Sequence, residues 1–79
     1  MDNAQFLDWL EKEHNMSTRS ARDVSSRLKR ASDIIGKQEF DSDSLNELNS
    51  TPVFAEKSMF VKSQLRRSIV LYLEYLSAK

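Results

Sequence analysis

The chain has no cysteine, which excludes a disulfide framework and a thiolate metal site. Glycine and proline occur once each, as Gly36 and Pro52. Hairpins and tight turns draw heavily on both residues, so this scarcity argues against an all-β fold. A single glycine also cannot build a phosphate-cradling loop. The one histidine, His14, is too little for a histidine metal cluster. No apolar run approaches the roughly 20 residues of a membrane span. The start, Met1-Asp2-Asn3, is acidic and is not followed by the apolar core of a secretory signal. The expectation is a cytoplasmic protein with no membrane partner. Formal net charge is zero, so the total does not announce an anionic partner. There is no internal repeat and no low-complexity segment.

What is present suits one small globular domain spanning residues 1–79. Hydrophobic residues make up 39% and charged residues 30%, too apolar a mixture for a disordered chain. A domain of this size buries a modest fraction of its surface, so the core must be small and well packed.

The apolar spacing predicts helices throughout. Asn3 can cap a first helix over about Ala4–His14, in which Phe6, Leu7 and Leu10 recur at helical spacing with Trp9 on the flank. Asn15-Met16-Ser17 breaks that pattern, and Ser17 is a candidate N-cap. The second helix, Thr18–Ile35, places Ala21, Val24, Leu28, Ala31 and Ile35 on one stripe. Gly36 follows as a left-handed stop. Lys37 to Phe40 reads as a connector. Asp41, Ser42 or Asp43 can cap a short third helix holding Leu45 and Leu48. Thr51 and Pro52 then suit the start of a further turn carrying Val53 and Phe54. The last helix starts near Ser58, with Val61, Leu65, Ile69, Tyr72 and Leu76 as its inner stripe. Its second half is apolar nearly all round, as in a helix central to a core or covered by a partner. The expected fold is all-α, a compact bundle of four to five helices. Its core is Phe6, Leu10, Val24, Leu28, Ile35, Leu45, Val61, Leu65, Ile69 and Tyr72.

No catalytic residue set emerges. No Ser-His-Asp or Cys-His arrangement is available, and His14 reads as a surface residue suited to a helix C-terminus. Asp41 and Asp43 sit where capping is their natural role, and Trp9 reads as a core anchor. The expectations are no enzyme activity, no catalytic residue, no metal, no cofactor and no small-molecule substrate.

The charge pattern says more than the total. On a helical wheel of the second helix, Arg19, Arg22, Lys29 and Arg30 lie opposite the apolar stripe with Ser26 among them. Arg27 stands between the two faces, and Asp23 and Asp33 are the only acids of this helix. Lys57, Lys62, Arg66 and Arg67 form a second basic group around the start of the last helix. Acids gather in the first helix, at Asp8, Glu11 and Glu13, and in the middle, at Glu39, Asp41, Asp43 and Glu47. Two basic segments with little interleaved acid point to an anionic partner, a nucleic acid; with the resemblance described next, the expected partner is double-stranded DNA. Arginine's planar fork can hold a phosphate or a guanine edge with two hydrogen bonds, and serine can add phosphate contacts.

The order of motifs also resembles a known family. Phe6-Leu7-x-Trp9-Leu10 in the first helix is followed by Ser17-Thr18-Arg19-Ser20-Ala21-Arg22-Asp23-Val24-x-x-Arg27-Leu28. The last helix reads Leu65-Arg66-Arg67-Ser68-Ile69-x-Leu71-Tyr72-Leu73-Glu74-Tyr75-Leu76. The pattern is similar to the N-terminal core-binding, SAM-like domain of phage integrases and other tyrosine recombinases, over nearly the whole chain. The resemblance implies a non-catalytic DNA clamp of DNA integration and recombination, whose second and last helices face the DNA. Position by position it implicates Ser17, Arg19, Arg22, Ser26 and Arg30, then Lys62 and Arg66. The charge map adds Lys29 and Arg67. Val24 stands where that family usually carries an aromatic residue, and the recombinase catalytic domain is not in this chain. Tyr72 and Tyr75 belong to the packing helix and are not nucleophiles. A module of a longer recombinase and a stand-alone relative are both open. The alternative function is a helical protein-interaction or oligomerisation module, docking a partner or a second copy through Val70, Leu71 and Tyr75.

Overall fold

The computed structural model describes residues 3–78; the side chain of Asn3, and with it the expected cap, lies outside that part. Every element is a helix: α1 (Asn3–Glu13), α2 (Thr18–Ile35), α3 (Ser44–Asn49), α4 (Pro52–Ala55) and α5 (Met59–Ala78). The all-α bundle expected from the sequence is the observed architecture.

Local chemistry sets the helix ends. The amide of His14 still donates to the Leu10 carbonyl, and the chain then turns at Asn15, where φ is 53°. Asparagine tolerates that left-handed region better than most residues. Ser17 caps α2, its Oγ accepting from the Ser20 amide at 3.1 Å. Gly36 ends α2 with φ at 71°, its amide donating to the Ser32 carbonyl at 2.8 Å. Asp41 shapes the turn into the third helix: its Oδ1 accepts from the Asp43 amide, while its own amide donates to Ser44 Oγ. These two bonds cross-link the turn that leads to Asp43, the N-cap position, whose own side chain makes no cap bond. Lys37 ties the end of α2 to α3, its Nζ lying 2.7 Å from Glu47 Oε1 and 3.3 Å from Asp41 Oδ2. Pro52 opens α4, and Ser58 caps α5 by accepting from the Val61 amide.

The core lies where α2 and α5 pack together, closed by α1 on one side and α3 and α4 on the other. Phe6, Leu10, Val24, Leu28, Leu65 and Ile69 are buried as expected. Ile35, Leu45, Val61 and Tyr72 are half-buried at its margin instead. Ala21, Ala31, Phe40, Leu48, Phe54, Leu71 and Tyr75 complete the buried hydrophobic set. An aromatic cluster joins α1 to α5. Phe6 meets Tyr72 edge-on at 5.1 Å, Trp9 meets Tyr75 at 5.7 Å, and Phe40 reaches back from the connector to Tyr72 at 5.7 Å.

The inner stripe of α5 differs from the sequence expectation. Its buried residues are Leu65, Ser68, Ile69, Leu71 and Tyr75, and Leu76 is exposed. The covered arc is wide because α1, α2 and α3 all pack on this helix. Tyr75 turns toward Trp9 and Phe6, carrying the buried arc around to the side that holds Leu71. The expected docking face of Val70, Leu71 and Tyr75 is therefore not an exposed surface. Leu71 and Tyr75 are buried within the chain, and of the three only Val70 is exposed. Among the described residues, no helix is long and apolar enough to cross a membrane.

Candidate nucleic-acid interface

The outer face of α2 follows from its amphipathic sequence. Burial of Ala21, Val24, Leu28 and Ala31 fixes the helix rotation, so residues on the opposite arc must face solvent. Arg19, Arg22, Ser26, Lys29 and Arg30 are all exposed there. Between Arg19 and Arg30 the helix advances about 16 Å, at 1.5 Å per residue. That exceeds the roughly 12 Å width of the DNA major groove. Arg27 is half-buried at the edge, as its intermediate wheel position requires. The exposed Asp23 and Asp33 border or interrupt the same face.

The side chains of Arg19, Arg22, Lys29 and Arg30 form no ion pair with any described residue; the chain's ion pairs lie elsewhere. Asp8 pairs with Lys12 within α1, and Lys37 neutralises Asp41 and Glu47 beside α3. His14 Nε2 lies 3.1 Å from Glu74 Oε2, so this helix-end histidine links α1 to α5. Its ring also stands edge-on to Trp9 at 5.0 Å.

Ser17 is differently employed. Besides its cap bond, its hydroxyl donates to Ser20 Oγ at 3.1 Å. Its oxygen is thus committed to holding the start of α2, although the residue is exposed.

The second basic group divides. Lys62 and Arg66 sit together over the buried ring of Phe54, with Lys62 Nζ at 6.0 Å and the Arg66 guanidinium carbon at 5.3 Å from its centroid. Arg66 Nε donates to Asn49 Oδ1 at 3.0 Å, which ties it to the end of α3. Arg67 follows Arg66 directly and so projects about 100° around the helix from it. It is exposed and forms no ion pair among the described residues. The structure thus brings Lys62 and Arg66 together, sets Arg67 apart, and keeps the α2 stripe on the side of α2 facing away from the core.

Asn49 and Phe54 are the partners that the sequence did not single out. Asn49 read only as part of a break, and nothing distinguished Phe54 from its neighbour Val53. Among the described residues, no group of three or more His, Cys, Asp or Glu side chains could hold a metal ion. Comparison with protein-family models, curated proteins and solved structures finds no match to this chain.

Proposed function

We propose that this protein is a non-catalytic DNA-binding module that docks on double-stranded DNA through the outer face of α2. The observation that carries this reading is the unpaired stripe of Arg19, Arg22, Lys29 and Arg30, exposed along one rigid helix. Unpaired guanidinium groups retain their donors for phosphate and cost no internal ion pair on binding. Ser26, exposed in the middle of the stripe, adds a hydroxyl for phosphate. Lys62 and Arg66, held in place by Phe54 and Asn49, supply a second, pre-oriented contact, and Arg67 a third from a different direction. Ser17 serves chiefly as the cap that orients the first arginines.

The resemblance to the core-binding domains of phage integrases supports the same surface, because it implies that the second and last helices face DNA. In that setting the module is one half of a clamp in DNA recombination, and its partners are DNA and a catalytic domain. The zero net charge means weak long-range attraction, so affinity for random duplex is modest and strongly salt-dependent.

Fluorescence anisotropy against salt concentration tests this. Each phosphate contact contributes about 0.9 to the slope of log affinity against log salt. Changing both Arg22 and Arg30 to Ala should weaken binding and flatten that slope by about two. An unchanged slope would remove α2 from the interface.

A further inference from the structure

The corner between α4 and α5 holds the three most exposed large hydrophobic residues of the described chain. Met59 is 77% exposed, Phe60 69% and Val53 55%. Phe6, Phe40 and Phe54 are all core residues, so Phe60 is the one phenylalanine that the fold leaves in solvent. Its surroundings are cationic. From Thr51 to Leu73, Glu56 is the only acid, against Lys57, Lys62, Arg66 and Arg67. Lys62 and Arg66 lie over Phe54, while Lys57 and Arg67 form no ion pair among the described residues. Phe60 and Arg67 are seven residues apart, so they share one face of α5 about 10 Å apart along its axis, with exposed Ser63 between them.

We propose that this corner is a second nucleic-acid contact that takes unpaired or unstacked bases, with Phe60 as the stacking surface, Met59 beside it, and Lys57 and Arg67 on the adjoining phosphates. The inference rests on the reading of the protein as a DNA binder and adds a structural preference to it. An exposed aromatic ring on one helix face with an arginine that forms no ion pair among the described residues matches what single-stranded and distorted nucleic acids offer together, a base face and a phosphate. Phenylalanine and methionine are also the side chains that proteins wedge between unstacked base steps. Intact duplex hides its base faces, so it gains nothing from Phe60. An anionic lipid surface has the same charge, but bilayer binding scales with buried apolar area. Here the apolar face of Phe60 gives way within one turn to Ser63 and then Arg67.

The test uses the full chain at low salt and three labelled DNAs of one sequence: intact duplex, the duplex with a central two-base mismatch, and the single strand. The mismatched duplex should bind about tenfold more tightly than the intact one, the scale of one base–aromatic stack. Phe60→Ser should abolish that preference and leave intact-duplex affinity unchanged, and Phe60→Tyr should retain it. A 2-aminopurine placed at the mismatch should be quenched by the wild type and not by Phe60→Ser. Equal affinities for mismatched and intact duplex, with intact binding still sensitive to Arg22→Ala and Arg30→Ala, would overturn this inference and leave the DNA reading standing. No binding to any of the three DNAs would overturn both. Co-sedimentation with phosphatidylglycerol vesicles that Phe60→Ser abolishes, without a mismatch preference, would assign the corner to lipid and overturn the proposal.

Discussion

At Gly36 the backbone adopts φ of 71°, and a Cβ built there would meet nothing within 4 Å. Substitution therefore costs conformational strain alone, with no clash. Gly36→Ala should destabilise by about 1 kcal/mol, and Gly36→Asn by less, since asparagine tolerates the left-handed region. Chemical denaturation measures both. Leu28 is the opposite case, fully buried at the centre of α2. Leu28→Ala should cost about 2–5 kcal/mol, a large share of the stability of so small a domain. Both residues were legible in the sequence, Gly36 as a stop immediately after a periodic run and Leu28 as the middle of its stripe. Phe40 and Phe54 were not. Phe40 lies in an irregular connector, where periodicity carries no information, and its burial comes from Tyr72 on a distant helix. Phe54 belongs to the four-residue helix Pro52–Ala55, too short for a period to choose between it and Val53. The choice is made by α5, which lays Lys62 and Arg66 across the Phe54 ring.

Among the elements, the connector into α3 carries the titratable chemistry. The Asp43 amide, and after it the Lys37 ammonium, hold the Asp41 carboxyl below its ordinary range. Glu47 and Asp41 hold Lys37 above its ordinary value against a smaller opposing effect of desolvation. Because the Asp41 value is lowered, its contribution to stability is complete above the ordinary carboxylate range and is lost as pH falls through the lowered value. Because the Lys37 value is raised, its contribution is complete below the ordinary lysine value and is lost as pH rises through the raised one. Carboxyl NMR of Asp41 should thus give a midpoint below the ordinary aspartate value. Lys37→Ala should move it only part of the way back, since the backbone amide of Asp43 remains. A full return would place the cause in Lys37 alone. The sequence offered Asp41, Ser42 and Asp43 as equal caps; the structure puts Asp43 at the N-cap position without a side-chain cap bond, while Asp41 holds the turn before it through Asp43 and Ser44. α5 was harder to read for a different reason. A nearly uniform apolar run does not specify its own rotation, so the arc through Leu71 and Tyr75 is fixed by α1 and its aromatic side chains.

For the whole molecule, the neutral total conceals a segregated surface. Acids on α1 and around α3 are partly spent on Lys12, Thr18 and Lys37 inside the chain, while the α2 arginines form no ion pair among the described residues. The segregation was legible because α2 has a narrow, regular apolar stripe that fixes which residues face outward. The division of the second basic group was not, since it depends on Phe54 and Asn49 arriving from α3 and α4. In the proposed function, the outer face of α2 is the one that meets DNA. A low-salt titration of the full chain with a short intact duplex, followed residue by residue by amide NMR, tests it most directly. Docking through α2 should give saturable shifts clustered at Arg19, Arg22, Ser26, Lys29 and Arg30, which collapse as salt is raised. Shifts confined to the acidic α1, or no shifts at all at low salt, would contradict it.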